Sequence, residues 1–232
     1  MSYQVFKERL SQRFSETVIR GCLSNLKHRL LAACNSLRFE PGEFKDQQFL
    51  RFTSYQELKK WFPERFPPNG PNPKIVEFGG SNNVIKSFLP NADYEIAPNW
   101  PEVDVQNLVG YSDESYDAVV LDHILEHVPD PFKAVAEVRR ILKPGGVCIS
   151  ATPFLIRIHG CPNDYWRFTR DGLKILFRDF SSVDIFAWGN RITVDSTLWW
   201  GWVDCKRTKR WMRAALWNEE HWPIGYLTRA HK

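Results

Sequence analysis

The sequence predicts an α/β fold: a Rossmann-like, doubly wound and mostly parallel sheet of seven strands, with a helical N-terminal extension and a helical insertion near the C-terminus. Short apolar runs alternate with helical patterns from residue 74 onward, which is typical of parallel strands joined by right-handed crossovers. The run at residues 74–83 (KIVEFGGSNN) carries an acid, Glu77, and two glycines, Gly79 and Gly80, near its end. A buried strand that turns sharply beside a ligand ends in this way.

The chain is predicted to have three parts. Residues 1–62 form a helical extension, which acts either as a lid over the ligand cleft or as a dimer contact. Five prolines in residues 63–73 forbid regular structure there and predict a linker. Residues 74–232 form the α/β domain, which carries the helical insertion at residues 197–222.

The elements are predicted in order from periodicity and end signals. In the extension, apolar residues at helical spacing predict a helix over residues 16–37, and Ser54 with Glu57 forms a capping box for a helix over residues 54–62. Thr169 caps the last helix of the α/β domain. The predicted strands are residues 74–79, 94–96, 103–105, 116–121, 147–151, 182–188 and 226–230, and the helices of that domain are residues 82–89, 131–142 and 170–177.

Composition limits the classes of protein that fit. The 232 residues are enough for one domain with a full core. A net charge of +4 is too mild for a nucleic-acid-binding protein, so no nucleic-acid partner is expected. Five widely spaced cysteines favour a reducing compartment, and Cys148, inside an apolar run, is expected to be buried. With no signal peptide and no apolar stretch of about 18 residues, the prediction is a cytoplasmic protein.

Several motifs follow one another along the α/β domain. They are EFGGS at residues 77–81, EIAP at 95–98, Asp104, DESYDAVV at 113–120, LEHVPDP at 125–131, LKPGG at 142–146 and HGCPNDYWRFT at 159–169. Together they resemble the class I S-adenosylmethionine-dependent methyltransferases, most closely the type 11 kind that modifies sugars and small molecules. The resemblance is clearest over residues 74–180, and its most specific part is the pair LEHVPDP and LKPGG, about one helix apart.

The resemblance implies S-adenosylmethionine as the cofactor and assigns residues to it, most of them near the end of a predicted strand. They are Glu77, Gly79, Gly80, Ser81, Glu95, Ile96, Asp104, Val105, Asp122 and His123. Glycines in the first loop would let it pass under the methionine part of the cofactor. Glu77 would orient that loop or reach the ammonium group through water, while Asp122 and His123 would line the methionine side.

The other end of the cofactor is assigned to the next two loops. Glu95 corresponds to the acid that accepts two hydrogen bonds from the ribose hydroxyls, and Ile96 follows it. An ionised carboxylate only accepts hydrogen bonds, so it suits a vicinal diol. Asp104 corresponds to the residue that reads the adenine amino group, with Val105 beside the ring.

The acceptor side is predicted from what the reaction needs. Methyl transfer requires an aligned, dry site, and a hydroxyl acceptor must also lose its proton. His159 is the first candidate base and His127 the second, with Asp164 close to His159 in sequence. The alternative is that His159 only packs in its loop. Neighbours expected to shape the acceptor pocket are Tyr165, Trp166 and Arg167. The predicted function is methylation of a hydroxyl on a sugar or related metabolite.

Three other functions remain open. Ser81 and Asn83 replace glycines of the usual pattern, which leaves room for a pseudo-methyltransferase that binds a cofactor or metabolite without catalysis. Strand, glycine turn and a later acid also occur in NAD-dependent dehydrogenases, although the third glycine is missing. Residues 123–127 (HILEH) match a zinc-peptidase pattern, but Pro129 and Pro131 break the helix that this pattern needs. No metal is assigned to the predicted site.

The Trp-rich insertion, residues 197–222, supports more than one role. Lysines and arginines alternate there with tryptophans. One hypothesis is an aromatic and cationic platform for a carbohydrate or phosphate-bearing acceptor. A second is an interfacial helix that touches a membrane, which is less favoured. The third is a helix packed on the sheet or on a second copy in a homodimer.

Overall fold

The computed structural model describes residues 49–80, 84–160, 162–200, 218–219 and 221–232. The helix predicted over residues 16–37 lies outside the described residues, as do residues 201–217 of the Trp-rich insertion. Ser81 and Asn83, which replace glycines of the family pattern, also lie outside them.

The described residues form helices and strands in alternation. The helices are α1 (Phe49–Arg65), α2 (Pro131–Ile141), α3 (Arg170–Leu176) and α4 (Arg191–Trp200). The strands are β1 (Lys74–Phe78), β2 (Asp93–Ile96), β3 (Tyr116–Asp122), β4 (Leu142–Pro153), β5 (Ser182–Trp188) and β6 (Gly225–His231). Two short 3₁₀ helices, Lys86–Phe88 and Leu125–His127, follow β1 and β3.

The strands form one sheet in the order β2-β1-β3-β4-β6-β5. β2, β1, β3 and β4 are parallel to one another, whereas β6 is antiparallel to both β4 and β5. This confirms the predicted α/β fold with a doubly wound, mostly parallel sheet. The carboxyl ends of β1 to β4 lie at one edge, and ligands of such sheets bind at that edge.

Apolar layers cover both faces of the sheet, because side chains alternate between the faces along each strand. Ile75 and Val76 are neighbours on β1, yet they belong to different layers. The layer of Val76 includes Val138 of α2 and Leu173 of α3. The layer of Ile75 includes Leu58 of α1, so α1 is part of the core on that side.

The prediction of seven strands is wrong for the part of the chain that the structure describes, where six strands form, because residues 103–105 are not a strand. Asp104 begins a turn there. Its carbonyl oxygen accepts from the Asn107 amide at 2.9 Å, and its Oδ1 accepts from the Gln106 amide at 2.9 Å. A side chain that bonds the backbone two residues on competes with strand pairing.

The predicted capping box at Ser54 is also wrong. α1 begins before Ser54, which lies buried inside the helix, and it continues through Pro63 into the predicted linker. Pro63 stands in the last turn, where few residues follow it. That turn is closed by the Phe66 amide, which donates to the Phe62 carbonyl at 2.8 Å. A proline is tolerated there because little helix remains to be disrupted.

Other elements match their predictions to different degrees. Thr169 caps α3, since its hydroxyl accepts from the Gly172 amide at 3.1 Å, and Cys148 is fully buried on β4. β4 is longer than predicted, and of the helix predicted over residues 82–89 only Lys86–Phe88 is helical among the described residues. Within the described ranges, no helix is both long and apolar enough to cross a bilayer.

Candidate functional site

The loop after β1 passes too close to β3 to carry a side chain. Gly79 has a φ of 83°, in the left-handed region that favours glycine. A Cβ on Gly79 would lie 2.5 Å from the carbonyl oxygen of Asp122 and 2.8 Å from Cδ1 of Ile124. Both its conformation and its neighbours therefore require glycine at this position.

Gly80 leaves room for the carboxyl group of Glu77. A Cβ on Gly80 would lie 2.3 Å from the carboxyl carbon of Glu77. Glu77 is 2% exposed, and the Tyr94 hydroxyl donates to its Oε2 at 2.7 Å. Burial raises the pKa of Glu77 from 4.5 to about 7, while the Tyr94 hydrogen bond opposes that shift. The carboxyl group can thus change its charge near neutral pH.

A second buried acid lies at the end of β3. Asp122 is 2% exposed; its Oδ2 accepts from the Tyr55 hydroxyl at 2.8 Å and lies 2.9 Å from Nε of Arg51. Its Oδ1 has no hydrogen-bond partner among the described residues. Both partners come from α1, so this helix supplies part of the site.

Glu95, at the end of β2, is exposed and lies between two tyrosines. Its Oε2 accepts from the Tyr116 hydroxyl at 2.9 Å, and its Oε1 lies 3.4 Å from the Tyr111 hydroxyl. A carboxylate has about four acceptor sites, so two further donors can still bind. Ile96 follows on the strand and pairs with Glu77 in the sheet register.

The predicted adenine-reading residues lie in the turn after β2. Oδ1 of Asp104 accepts from both the backbone and the side-chain nitrogen of Gln106, at 2.9 and 3.0 Å. Val105 is buried in the core. An adenine amino group at Asp104 would therefore have to share this carboxylate with Gln106.

A row of side chains continues from Asp122 along the loop after β3. His123 has a φ of 59°, and its Nε2 lies 4.0 Å from Oδ1 of Asp122. Nδ1 of His123 is 3.4 Å from Oε1 of Glu126, which is in turn 3.7 Å from Nε2 of His127. Glu126 is completely buried.

His159 belongs to the loop after β4 and pairs with Asp164. Nδ1 of His159 is 3.3 Å from Oδ2 of Asp164, and the same oxygen accepts from the His159 amide at 2.7 Å. Burial lowers the pKa of His159, which the charge of Asp164 opposes. Although burial alone would raise it, the pKa of Asp164 is lowered because Arg167 bonds both of its oxygens.

The two loops are tied together at Glu126 and His127. The carbonyl of Glu126 accepts from the Tyr165 amide at 2.7 Å, and Nδ1 of His127 lies 2.5 Å from the Asn163 carbonyl. The rings of His127 and His159 are 5.0 Å apart at 82°. Glu126, His127 and His159 each bring a possible ligand atom to within 4.8 Å of the other two, so this group could hold a metal ion.

The residues predicted for the acceptor pocket differ in what they present. The side chain of Tyr165 is exposed, whereas Nε1 of Trp166 donates to the Val128 carbonyl at 2.9 Å and its ring stacks on Phe168. Arg167 forms an ion pair with Asp164. Tyr165 and Trp166 are both exposed, at 48% and 41%.

Sequence reasoning missed the residues that hold the two buried acids. Arg51 and Tyr55 lie four positions apart on α1, so they occupy one face of that helix. This spacing was the available signal, but it does not say which strand end they meet. Tyr94, beside Glu95 on β2, points to the opposite face of the sheet, as strand alternation requires.

The comparisons with known proteins agree with this geometry. The family model of the methyltransferase domain matches residues 75–150, from β1 to most of β4. A ubiquinone biosynthesis O-methyltransferase of Alkalilimnicola ehrlichii is 37% identical over 60 residues, which is 26% of this chain and 24% of that protein. The ubiquinone/menaquinone biosynthesis C-methyltransferase UbiE of Desulfotalea psychrophila is 39% identical over 57 residues, 24% of this chain and 23% of that protein. The chain thus spans about a quarter of the length of these curated relatives.

Among solved structures, the CurJ carbon methyltransferase shares the fold. It aligns with a TM-score of 0.53 and 13% identity, over 76% of this chain and 53% of that one. The mostly parallel sheet and the glycine loop after β1 are typical of the nucleotide-binding α/β class. Residues 75–150, about a third of the chain, thus match the methyltransferase domain, and the described fold is shared with the CurJ carbon methyltransferase.

Proposed function

We propose that the protein transfers a methyl group from S-adenosylmethionine to a hydroxyl of a small molecule, a sugar or related metabolite. The observation that carries the proposal is a continuous row of acidic and imidazole groups along the carboxyl edge of the sheet. The row starts at Asp122, on the cofactor side, and passes through His123 and Glu126 to His127. The ring of His159 packs against the ring of His127 at the end of this row. Cofactor and base would then be neighbours.

The residues near β1 and β3 fit the cofactor. Gly79 and Gly80 carry no side chain, so a ligand can approach the backbone closely at these two positions. Asp122 and Glu77 place two buried acids where the methionine ammonium would lie, and Oδ1 of Asp122 has no hydrogen-bond partner among the described residues. When bound, the cofactor supplies the sulfonium methyl group.

The acceptor end supplies a base. Nδ1 of His159 lies 3.3 Å from Oδ2 of Asp164 and 3.5 Å from a guanidinium nitrogen of Arg167. The closer carboxylate favours the tautomer with the proton on Nδ1 and the lone pair on Nε2. Burial lowers the pKa of His159, so the imidazole is neutral near pH 7 and can accept the hydroxyl proton. Arg167 holds Asp164 in place through both carboxylate oxygens.

The relatives support a small-molecule acceptor without deciding the methylated atom. Two of them are named for ubiquinone biosynthesis, one as an O-methyltransferase and the other as a C-methyltransferase. A hydroxyl acceptor fits the half-buried His159, which can accept the proton that leaves during O-methylation.

The base is tested by His159→Gln. With a panel of hydroxylated acceptors, we expect acceptor-dependent formation of S-adenosylhomocysteine by the wild type and a loss of about 10²–10⁴-fold in the variant. Cofactor affinity measured by calorimetry should not change. The control is His221→Gln, at an exposed histidine, which should retain full turnover.

The same experiment separates the alternatives. Full turnover in His159→Gln would remove His159 as the base. Binding of S-adenosylmethionine with no product from any acceptor would favour the non-catalytic pseudo-methyltransferase.

A further inference from the structure

We propose that Glu126, His127 and His159 form a binding site for one divalent transition-metal ion of the zinc class. A ligand atom from each lies within 4.8 Å of the other two. Two imidazoles and one carboxylate are a common ligand set of catalytic zinc sites, which keep a fourth position open. The three residues come from two loops that hydrogen bonds already tie together.

The first argument is the state of Glu126. Its side chain is completely buried, and neither carboxylate oxygen has a hydrogen-bond partner among the described residues. A buried, unsatisfied carboxylate is costly unless a cation or donor compensates it. The nearest imidazole nitrogens, on His123 and His127, lie 3.4 and 3.7 Å from Oε1, which is beyond the usual hydrogen-bond distance. A metal ion would satisfy this carboxylate.

The second argument is the orientation of the two histidines. Histidine ligands of metals usually donate their other ring N–H to a carboxylate or a backbone carbonyl, which fixes the tautomer. Nδ1 of His127 lies 2.5 Å from the Asn163 carbonyl. Nδ1 of His159 lies 3.3 Å from Oδ2 of Asp164, closer than the 3.5 Å that separates it from the Arg167 guanidinium. Both imidazoles are therefore set to present Nε2 as the ligand atom.

The geometry needs only a small adjustment. Ligand atoms on a tetrahedral zinc ion are about 3.3 Å apart, since zinc–nitrogen bonds are about 2.0–2.1 Å. Oε1 of Glu126 and Nε2 of His127 are already 3.7 Å apart. His159 lies on the loop after β4, so side-chain rotation can close the remaining distance.

The ion's role, though not its binding, rests on the proposed function. The acceptor oxygen would take the open position, where the ion lowers the pKa of its hydroxyl. The O–H bond breaks and the proton passes to solvent water; the oxygen then bonds to the methyl carbon as the carbon–sulfur bond breaks, leaving its electron pair on sulfur. His159 would be a ligand when the ion is bound and would act as the base only in the metal-free protein.

The test uses the full chain, stripped of metal with a chelator. Titration with Co²⁺ should give the intense visible absorption of a tetrahedral site at one ion per chain, and Zn²⁺ should displace it. Glu126→Gln and His159→Ala should lose this signal, and Asp164→Asn should weaken the metal about 10–100-fold. His221→Ala, at an exposed histidine, should bind as the wild type does.

These assays test metal binding and methyl transfer independently. No stoichiometric Co²⁺ binding by the wild type, or binding that Glu126→Gln and His159→Ala leave intact, would overturn the metal site. Methyl transfer at the full rate in the stripped protein would overturn its role. Metal binding without any methyl transfer would leave the site standing and remove the proposed function.

Discussion

At the residue scale, folding raises the pKa of the Glu77 carboxyl group. The carboxyl group is buried at the end of β1 and close to Asp122 and Gly80, with one hydrogen bond from Tyr94. Its protonated form is favoured in the folded protein, because charging a buried acid is costly. In the proposed function, this buried acid would meet the positive charge of the cofactor.

A pH dependence of stability follows. The pKa of Glu77 rises from 4.5 to about 7 on folding, so its contribution favours the folded state below pH 4.5 and is lost as the pH rises to about 7. A shift of that size corresponds to about 3 kcal/mol. Glu77→Gln should therefore unfold in urea like the wild type at pH 5 and be more stable, by up to about 3 kcal/mol, at pH 8.

The comparison needs a matched control. Glu102→Gln, at an exposed acid in the loop after β2, should show no such difference between pH 5 and pH 8. If Glu77→Gln gave the same stability difference from wild type at both pH values, the raised pKa would be wrong.

Glu95 gives a second prediction at this scale. Two tyrosine hydroxyls orient its carboxylate, and its remaining acceptor sites face solvent. A hydrogen bond to a charged group contributes about 1.5–3 kcal/mol, so Glu95→Gln should weaken S-adenosylmethionine binding by about tenfold or more. Calorimetry measures this, with Glu102→Gln as the control. Unchanged affinity would show that Glu95 does not bind the ribose.

At the element scale, α1 contributes to the core and to the site together. Tyr55 and Leu58 belong to the apolar layer on its face of the sheet, and Tyr55 also donates to Asp122. A substitution that disturbs the packing of α1 should therefore lower the stability of the fold and also disturb the hydrogen bond to Asp122.

Phe62 tests this packing. Its side chain is completely buried in the apolar layer that contains Ile75, so Phe62→Ala should lower the free energy of unfolding by about 3–5 kcal/mol. Phe132→Ala, at a side chain 51% exposed on α2, should change it by less than about 0.5 kcal/mol. Urea denaturation measures both, and equal effects would mean that α1 does not pack on the sheet as described.

The element scale also shows where sequence patterns succeed. β5 and α3 were predicted within one residue, because strand alternation and the Thr169 cap are local signals. The extent of α1 could not be predicted, since its start and its passage through Pro63 depend on packing against the sheet. The turn at Asp104 was missed because its side-chain hydrogen bonds compete with an extended backbone.

At the scale of the whole molecule, the sheet brings together groups far apart in sequence. Glu77 and Asp122 lie at the ends of β1 and β3, and His159 lies in the loop after β4. Parallel strands place their carboxyl ends at one edge of the sheet. This is why the acids and the base of the candidate site could be proposed from sequence. The arrangement of Glu126, His127 and His159 could not be, because it depends on how two irregular loops meet.

The central claim is that this edge of the sheet binds S-adenosylmethionine. The most direct measurement is a calorimetric titration of the purified protein with S-adenosylmethionine, S-adenosylhomocysteine and NAD. We expect saturable one-to-one binding of the first two and none of NAD. Binding of NAD alone, or of none of the three, would contradict it.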